Sequence, residues 1–307
     1  MAGARRGGET CARAATPPRS APAILVLFWP LVVVVLFGDS RWAAARGWAL
    51  PWAGAVLAAV FLLALLRQLP PERRLAVMLF VPLSALGEVL FSLVFGFYRY
   101  RAGGVPLYVP LGHSVLLAVG LLVADLPVVR RHEDRIGRGL FGLHAGLIAG
   151  ALLLWGDTVS LLFGVLLIPI VFRGGPRPFF GILGLLVFYI ELVGTALGCW
   201  TWEPRPFGLL HATNPPVAAF PCYLAGELVA IRLADLLRRY FAGGTVSRLA
   251  GRRVVAILAA STASLLQNRP VAGEMSSPAQ RGVGALGSAP RIPQPRPRTD
   301  SQATNLR

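Results

Sequence analysis

Residues 84–100 read SALGEVLFSLVFGFYRY, a run fit to cross a bilayer except that one glutamate, Glu88, sits inside it. A second run, residues 181–202, reads GILGLLVFYIELVGTALGCWTW and sets Glu191 in the same surroundings. Both close on Gly-x-aromatic-x-aromatic, Gly96 to Tyr100 and Gly198 to Trp202, displaced by 102 residues. The glutamates are displaced by 103, one residue out of step with their aromatics. Ser84, Glu88, Ser92 and Gly96 recur every four residues and form one helical stripe, and Glu191 shares a face with Gly184, Gly194, Thr195 and Gly198. Small residues on a stripe let helices approach closely, so both carboxyls are expected to face a bundle interior and not lipid.

Around these runs the 307 residues are 55% apolar and 14% charged, where a soluble domain carries about 25% charged residues. An ordinary cytosolic enzyme is excluded. All 30 basic residues are arginine, so a P-loop ammonium and a pyridoxal or retinal Schiff base are excluded too. Eight apolar stretches stand out, at 21–38, 48–66, 75–97, 105–125, 139–156, 159–172, 179–199 and 216–236. The sixth is short for a span, and with the fifth it reads alternatively as a tight hairpin or re-entrant unit. The expected fold class is all-α, a polytopic bundle of about eight spans whose first helix is retained and not cleaved as a signal peptide.

The arginines fit that count. With the N-terminus inside, 25 lie on cytoplasmic segments and five outside, as the positive-inside rule requires. The net charge of +16 is then topological, and nucleic acid is not an expected partner. The reading is a multi-pass protein of the inner (plasma) membrane with both termini cytoplasmic. Its expected parts are a cytoplasmic segment 1–20, transmembrane repeat 21–129, loop 130–138, second repeat 139–239, surface helix 240–266 and disordered tail 267–307. The repeats, four spans each, would be parallel copies about an axis along the membrane normal. At about 1.5 Å per residue Glu88 lies roughly 20 Å, and Glu191 roughly 18 Å, from the cytoplasmic start of its span.

Ionisable groups within spans are functional candidates by default, which singles out Glu88 and Glu191, although interhelical hydrogen-bond glue is the ordinary alternative. Asp125 and Glu227 read instead as neutralised by Arg130 and Arg232. Tyr98, Tyr100, Trp200 and Trp202 suit a membrane interface, and an extended backbone would set one ring of each pair over a cavity, where an aromatic face stabilises a cation. His113 begins the fourth span as a polar cap or substrate contact, and Asn214 precedes the eighth. His113, His211 and the glutamates lack the short-range spacing of a metal site. Three cysteines make no framework, though Cys199 and Cys222 could pair.

The double occurrence of acid, apolar run, Gly-x-aromatic-x-aromatic and proline-rich re-entry resembles the membrane carotenoid-biosynthesis hydratases and related polytopic proteins. It covers mainly Glu88 to His113 and Glu191 to Tyr223, while Pro110-Leu-Gly-His113 and Asn214-Pro-Pro216 depart from that pattern. The resemblance implies an isoprenoid hydratase or cyclase, of lyase or isomerase type, needing no metal or cofactor. Glu88 or Glu191 would protonate a terminal double bond of a lipid-soluble polyene, the other would position water or recover a proton, and the aromatic pairs would shield the cation. On the residues alone, a proton-coupled transporter or a non-catalytic membrane component stays open.

Overall fold

The computed structural model describes residues 21–171 and 178–242. The segment 1–20, most of 240–266 and all of 267–307 lie outside the described residues. The chain divides into units Met1–Ala263 and Ser264–Arg307, and the description concerns the first.

Each apolar stretch folds as one helix. In chain order these are α1 (Ala21–Gly38), α3 (Pro51–Gln68), α4 (Pro71–Glu88), α5 (Tyr108–Ala124), α7 (Glu133–Trp155), α8 (Thr158–Val171), α9 (Pro178–Ala196) and α10 (Phe220–Ala242). Two short helices, α2 (Arg41–Ala45) and α6 (Pro127–Arg131), fill connections. Prolines open α3, α4 and α6 at the first helical turn, where their missing N–H costs nothing. Five helices are long and apolar enough to cross a membrane. α5, with 17 residues, and α8, with 14, are shorter, and α10 carries charges at Glu227, Arg232, Asp235, Arg238 and Arg239. Val26, Val60, Leu153 and Val165 are each more than half exposed, an apolar outer surface that belongs in lipid. The stretch 130–138, read from sequence as a loop, is instead helical, because Glu133 and Asp134 favour the N-terminus of α7.

α5 lies at the centre, packed on α3, α4 and α9; α1 leans on α3, α10 on α4, and α7 on α9. Among the described residues the fold departs from all-α at one place. β1 (Tyr98–Tyr100) and β2 (Trp200–Trp202) pair antiparallel, with Tyr98 opposite Trp202 and Tyr100 opposite Trp200. Both strands follow a glycine in the left-handed region, Gly96 (φ 66°) and Gly198 (φ 68°), which stops the preceding helix and turns the chain back over the bundle. Aromatic residues then favour the pleated surface.

The one-residue mismatch between the two motifs has a local cause. α4 does not run straight to Gly96 but widens into a π turn over Val89–Val94, absent from α9. A π turn absorbs one extra residue without rotating the chain beyond it, so Glu88 and Glu191 meet their strands alike despite unequal spacing.

Candidate active site

Each glutamate is buried at the base of the ribbon, Glu88 at 4% exposure and Glu191 at 1%. Glu88 Oε2 accepts from the hydroxyls of Tyr98 (2.7 Å) and Tyr100 (2.5 Å), and its Oε1 meets His113 Nε2 at 2.8 Å. Glu191 Oε2 accepts from the indole N–H groups of Trp200 (2.9 Å) and Trp202 (3.0 Å), and its Oε1 accepts from the Tyr223 hydroxyl at 2.6 Å. The two clusters join: the His113 and Tyr223 rings stack at 4.6 Å, and Tyr98 lies 4.7 Å from Trp202.

Both rings of each aromatic pair face inward, not one as expected from sequence. Residues two apart on a strand share a face, and it is the middle residues, Arg99 and Thr201, that point out. Burial, with the Glu88 carboxyl beside it, keeps the Tyr100 phenol well above its ordinary value, so the ring stays a donor. Room for Trp200 comes from Gly194, where a Cβ would overlap the indole.

The clusters differ in what their donors can do. An indole N–H donates and never accepts, so two of them on one oxygen commit Glu191 Oε2 to receiving hydrogen bonds. Phenols and imidazole work in both directions, so a proton on Glu88 or its partners can change hands. His113 Nδ1 is buried and has no hydrogen-bond partner, leaving that nitrogen free to carry a proton while Nε2 stays on Glu88.

Two cavities of about 70 Å³ flank this group. The first lies among α1, α3, α5 and α9, with His113, Glu191, Tyr98, Tyr100, Trp200 and Tyr223 at its polar end. Its remaining wall is apolar and includes Phe28, Val32 and Val35 of α1 and Leu116 of α5. The second lies between α4 and α10 and reaches Glu88 and Ser84; His113, Tyr98 and Tyr223 border both.

Other sequence candidates take different places. Asn214 holds the ribbon, its Oδ1 accepting from Trp202 N at 3.0 Å, and it does not line either cavity. Its loop is tied down by Asp157, whose Oδ2 accepts from Ser160 Oγ and Thr213 Oγ1, both at 2.6 Å. His211 joins this tie through Thr158 Oγ1 (2.8 Å) and not the glutamates; among the described residues no three His, Cys, Asp or Glu side chains gather as metal ligands. Asp125 pairs with Arg130 at 3.3 Å as expected, and with Arg73 at 2.5 Å. Glu227 does not meet Arg232 in an ion pair; it is 1% exposed, with Oε2 unpartnered. Asp125 follows the end of α5 whereas Glu227 lies inside α10, so helix position parts two residues whose spacing matched. Cys199 is a buried free thiol that donates to the Leu36 carbonyl at 3.1 Å, while the Cys222 side chain considered as its partner lies outside the described residues.

Sequence reasoning passed over Tyr223, the counterpart of His113, and the anchor made by Asp39, whose carboxylate takes Arg101 and, at 2.8 Å, the Tyr108 hydroxyl. The only signal for either tyrosine was a hydroxyl at the proline-flanked entry of an apolar helix. Comparison of the chain with protein-family models, with curated proteins and with solved structures returns no match.

Proposed function

We propose that the chain is an integral membrane enzyme that transfers a proton to a lipid-soluble isoprenoid or carotenoid-like polyene, giving hydration or cyclisation. The observation that carries this reading is the Glu88–His113 pair at 2.8 Å, in which His113 has an unpartnered Nδ1 and lines an apolar cavity that Glu191 also lines. Eight spans, in two parallel four-helix repeats with both termini cytoplasmic, are the topology we attach to it. Support for the repeats comes from the matched units, Glu88 with His113 and two tyrosines, Glu191 with Tyr223 and two tryptophans.

On this reading His113, doubly protonated and oriented by Glu88, is the acid. Its Nδ1 proton passes to the less substituted carbon of a terminal double bond, whose π pair forms the new C–H bond. The cation left on the tertiary carbon is stabilised by the Glu191 carboxyl oxygens and by the faces of Tyr98, Tyr100 and Trp200. A water oxygen then forms the C–O bond and its extra proton returns to Nδ1, which gives hydration. Attack by an internal double bond, with proton loss to Nδ1, gives cyclisation. Apolar walls limit competing capture by bulk water.

Lipid extraction and mass spectrometry on a host lacking the gene, restored, and restored with Glu88→Gln tests this. A polyene precursor that accumulates in the deletion and persists with Glu88→Gln is expected; identical lipids in every strain would remove the enzyme reading. A proton-coupled carrier is the second reading, favoured by one observation: cavities lie on both sides of His113 and Tyr223. Unchanged lipids together with proton-dependent flux in proteoliposomes would establish that reading instead.

A further inference from the structure

The first cavity has a side wall as well as a polar end. α1 and α9 are tied together at two levels. At one, the Tyr189 hydroxyl donates to the Trp29 carbonyl at 2.9 Å and the two rings meet edge to face at 4.7 Å. At the other, toward the ribbon, Cys199 Sγ donates to the Leu36 carbonyl and Arg41 N to the Leu197 carbonyl at 3.0 Å. Among the described residues no hydrogen bond crosses the seam between those levels, from Pro30 to Val35 on α1 and from Ile190 to Ala196 on α9.

That unpinned stretch borders the cavity. Leu31 and Ile190, one from each helix, line the cavity and are only partly buried. Seven residues separate Trp29 from Leu36, about 10 Å of helix. Pro30, inside α1, stands beside Leu31 and removes one backbone hydrogen bond there. Every α1 side chain on the cavity is apolar; the titratable groups on it are His113 and Tyr108 from α5, Glu191 from α9, Tyr98 and Tyr100 from β1 and Tyr223 from α10.

Resting on the reading of this cavity as the substrate site, we infer that it takes one linear, uncharged polyene chain end, threaded sideways from the bilayer through the slot between α1 and α9. A slot pinned above and below admits a single hydrocarbon chain and turns away fused-ring lipids. A water-soluble substrate has no reason to approach through an apolar wall that faces lipid.

The test uses the full-length protein in phosphatidylcholine vesicles with geranylgeraniol carrying a diazirine at its chain terminus. After irradiation, adducts are expected on cavity residues such as Val32 and Leu116. Oxidation of a Leu31→Cys, Ile190→Cys variant should close the slot and abolish those adducts, and reduction should restore them. Should the thiols not join, Leu31→Trp fills the same opening and should lower labelling, whereas Leu153→Trp, on the outer surface at 83% exposure, should not. Cavity labelling that survives both blocks, or adducts confined to outward residues, would overturn the inference. Labelling needs no turnover, so entry and chemistry fail separately.

Discussion

The Glu88 and Glu191 clusters share a plan and differ in chemistry. Each carboxyl sits under a strand, takes two aromatic donors on one oxygen and a third group from the next helix on the other. Tyrosines and histidine surround the first, tryptophans and a tyrosine the second. Exchange of phenol for the larger indole keeps burial but removes the ability to accept a hydrogen bond. The lesson is that one buried geometry accepts either donors that can also take a proton or, on one oxygen, donors that can only give a hydrogen bond.

The largest consequence concerns rate. Glu88→Gln, or His113→Ala, should lower turnover by about 10²–10⁴-fold, the usual worth of a positioned acid–base group, with the protein still in the membrane. Turnover within a few-fold of the parent would break the division of roles. Next comes Gly194→Ala, whose methyl would displace Trp200 and strip one indole from Glu191. A stability loss of about 1–3 kcal/mol, read by thermal unfolding in detergent, is expected from overpacking. An unchanged midpoint would mean that the ring has room to move.

A finer comparison reads the charge itself. Hydrogen bonds to a charged group are worth about 1.5–3 kcal/mol and neutral ones about 0.5–1.5. On the proposed mechanism Glu88 is the carboxylate with a cation, His113, beside it, so the coupling of Tyr98→Phe with Glu88→Gln in a double-mutant cycle should exceed that of Trp202→Phe with Glu191→Gln. Equal couplings would erase the distinction between the clusters. The smallest effect is expected at Asn214→Ala, which leaves one backbone N–H without its partner and costs about 1 kcal/mol of unfolding stability, with the chemistry retained.

Much of this frame was legible in the residues because hydrophobic length and intramembrane charge are strong signals. Eight apolar stretches became eight helices, and Glu88 and Glu191 lie inside as their small-residue stripes required. The ribbon was not legible: three residues of β pairing depend on two distant glycine turns coming together, which no local pattern reveals. Tyr223 escaped because an isolated tyrosine in an apolar helix looks like any interfacial ring. Glu227 was misassigned because a nearby arginine in sequence was taken for one in space, whereas residues five apart on a helix do not share a face. Asn214 was legible as a special position, but its work is to hold β2.

The π turn carries a further consequence. In the gene, its surplus is the length of a single codon. Elsewhere on α4 such an insertion would swing the outer half of the helix by about 100° and carry its side chains away from their partners. Here the widened turn confines the disturbance to one loop of backbone. The chain thus shows how two matched motifs can differ in length by one residue while both carboxyls keep their alignment with the ribbon.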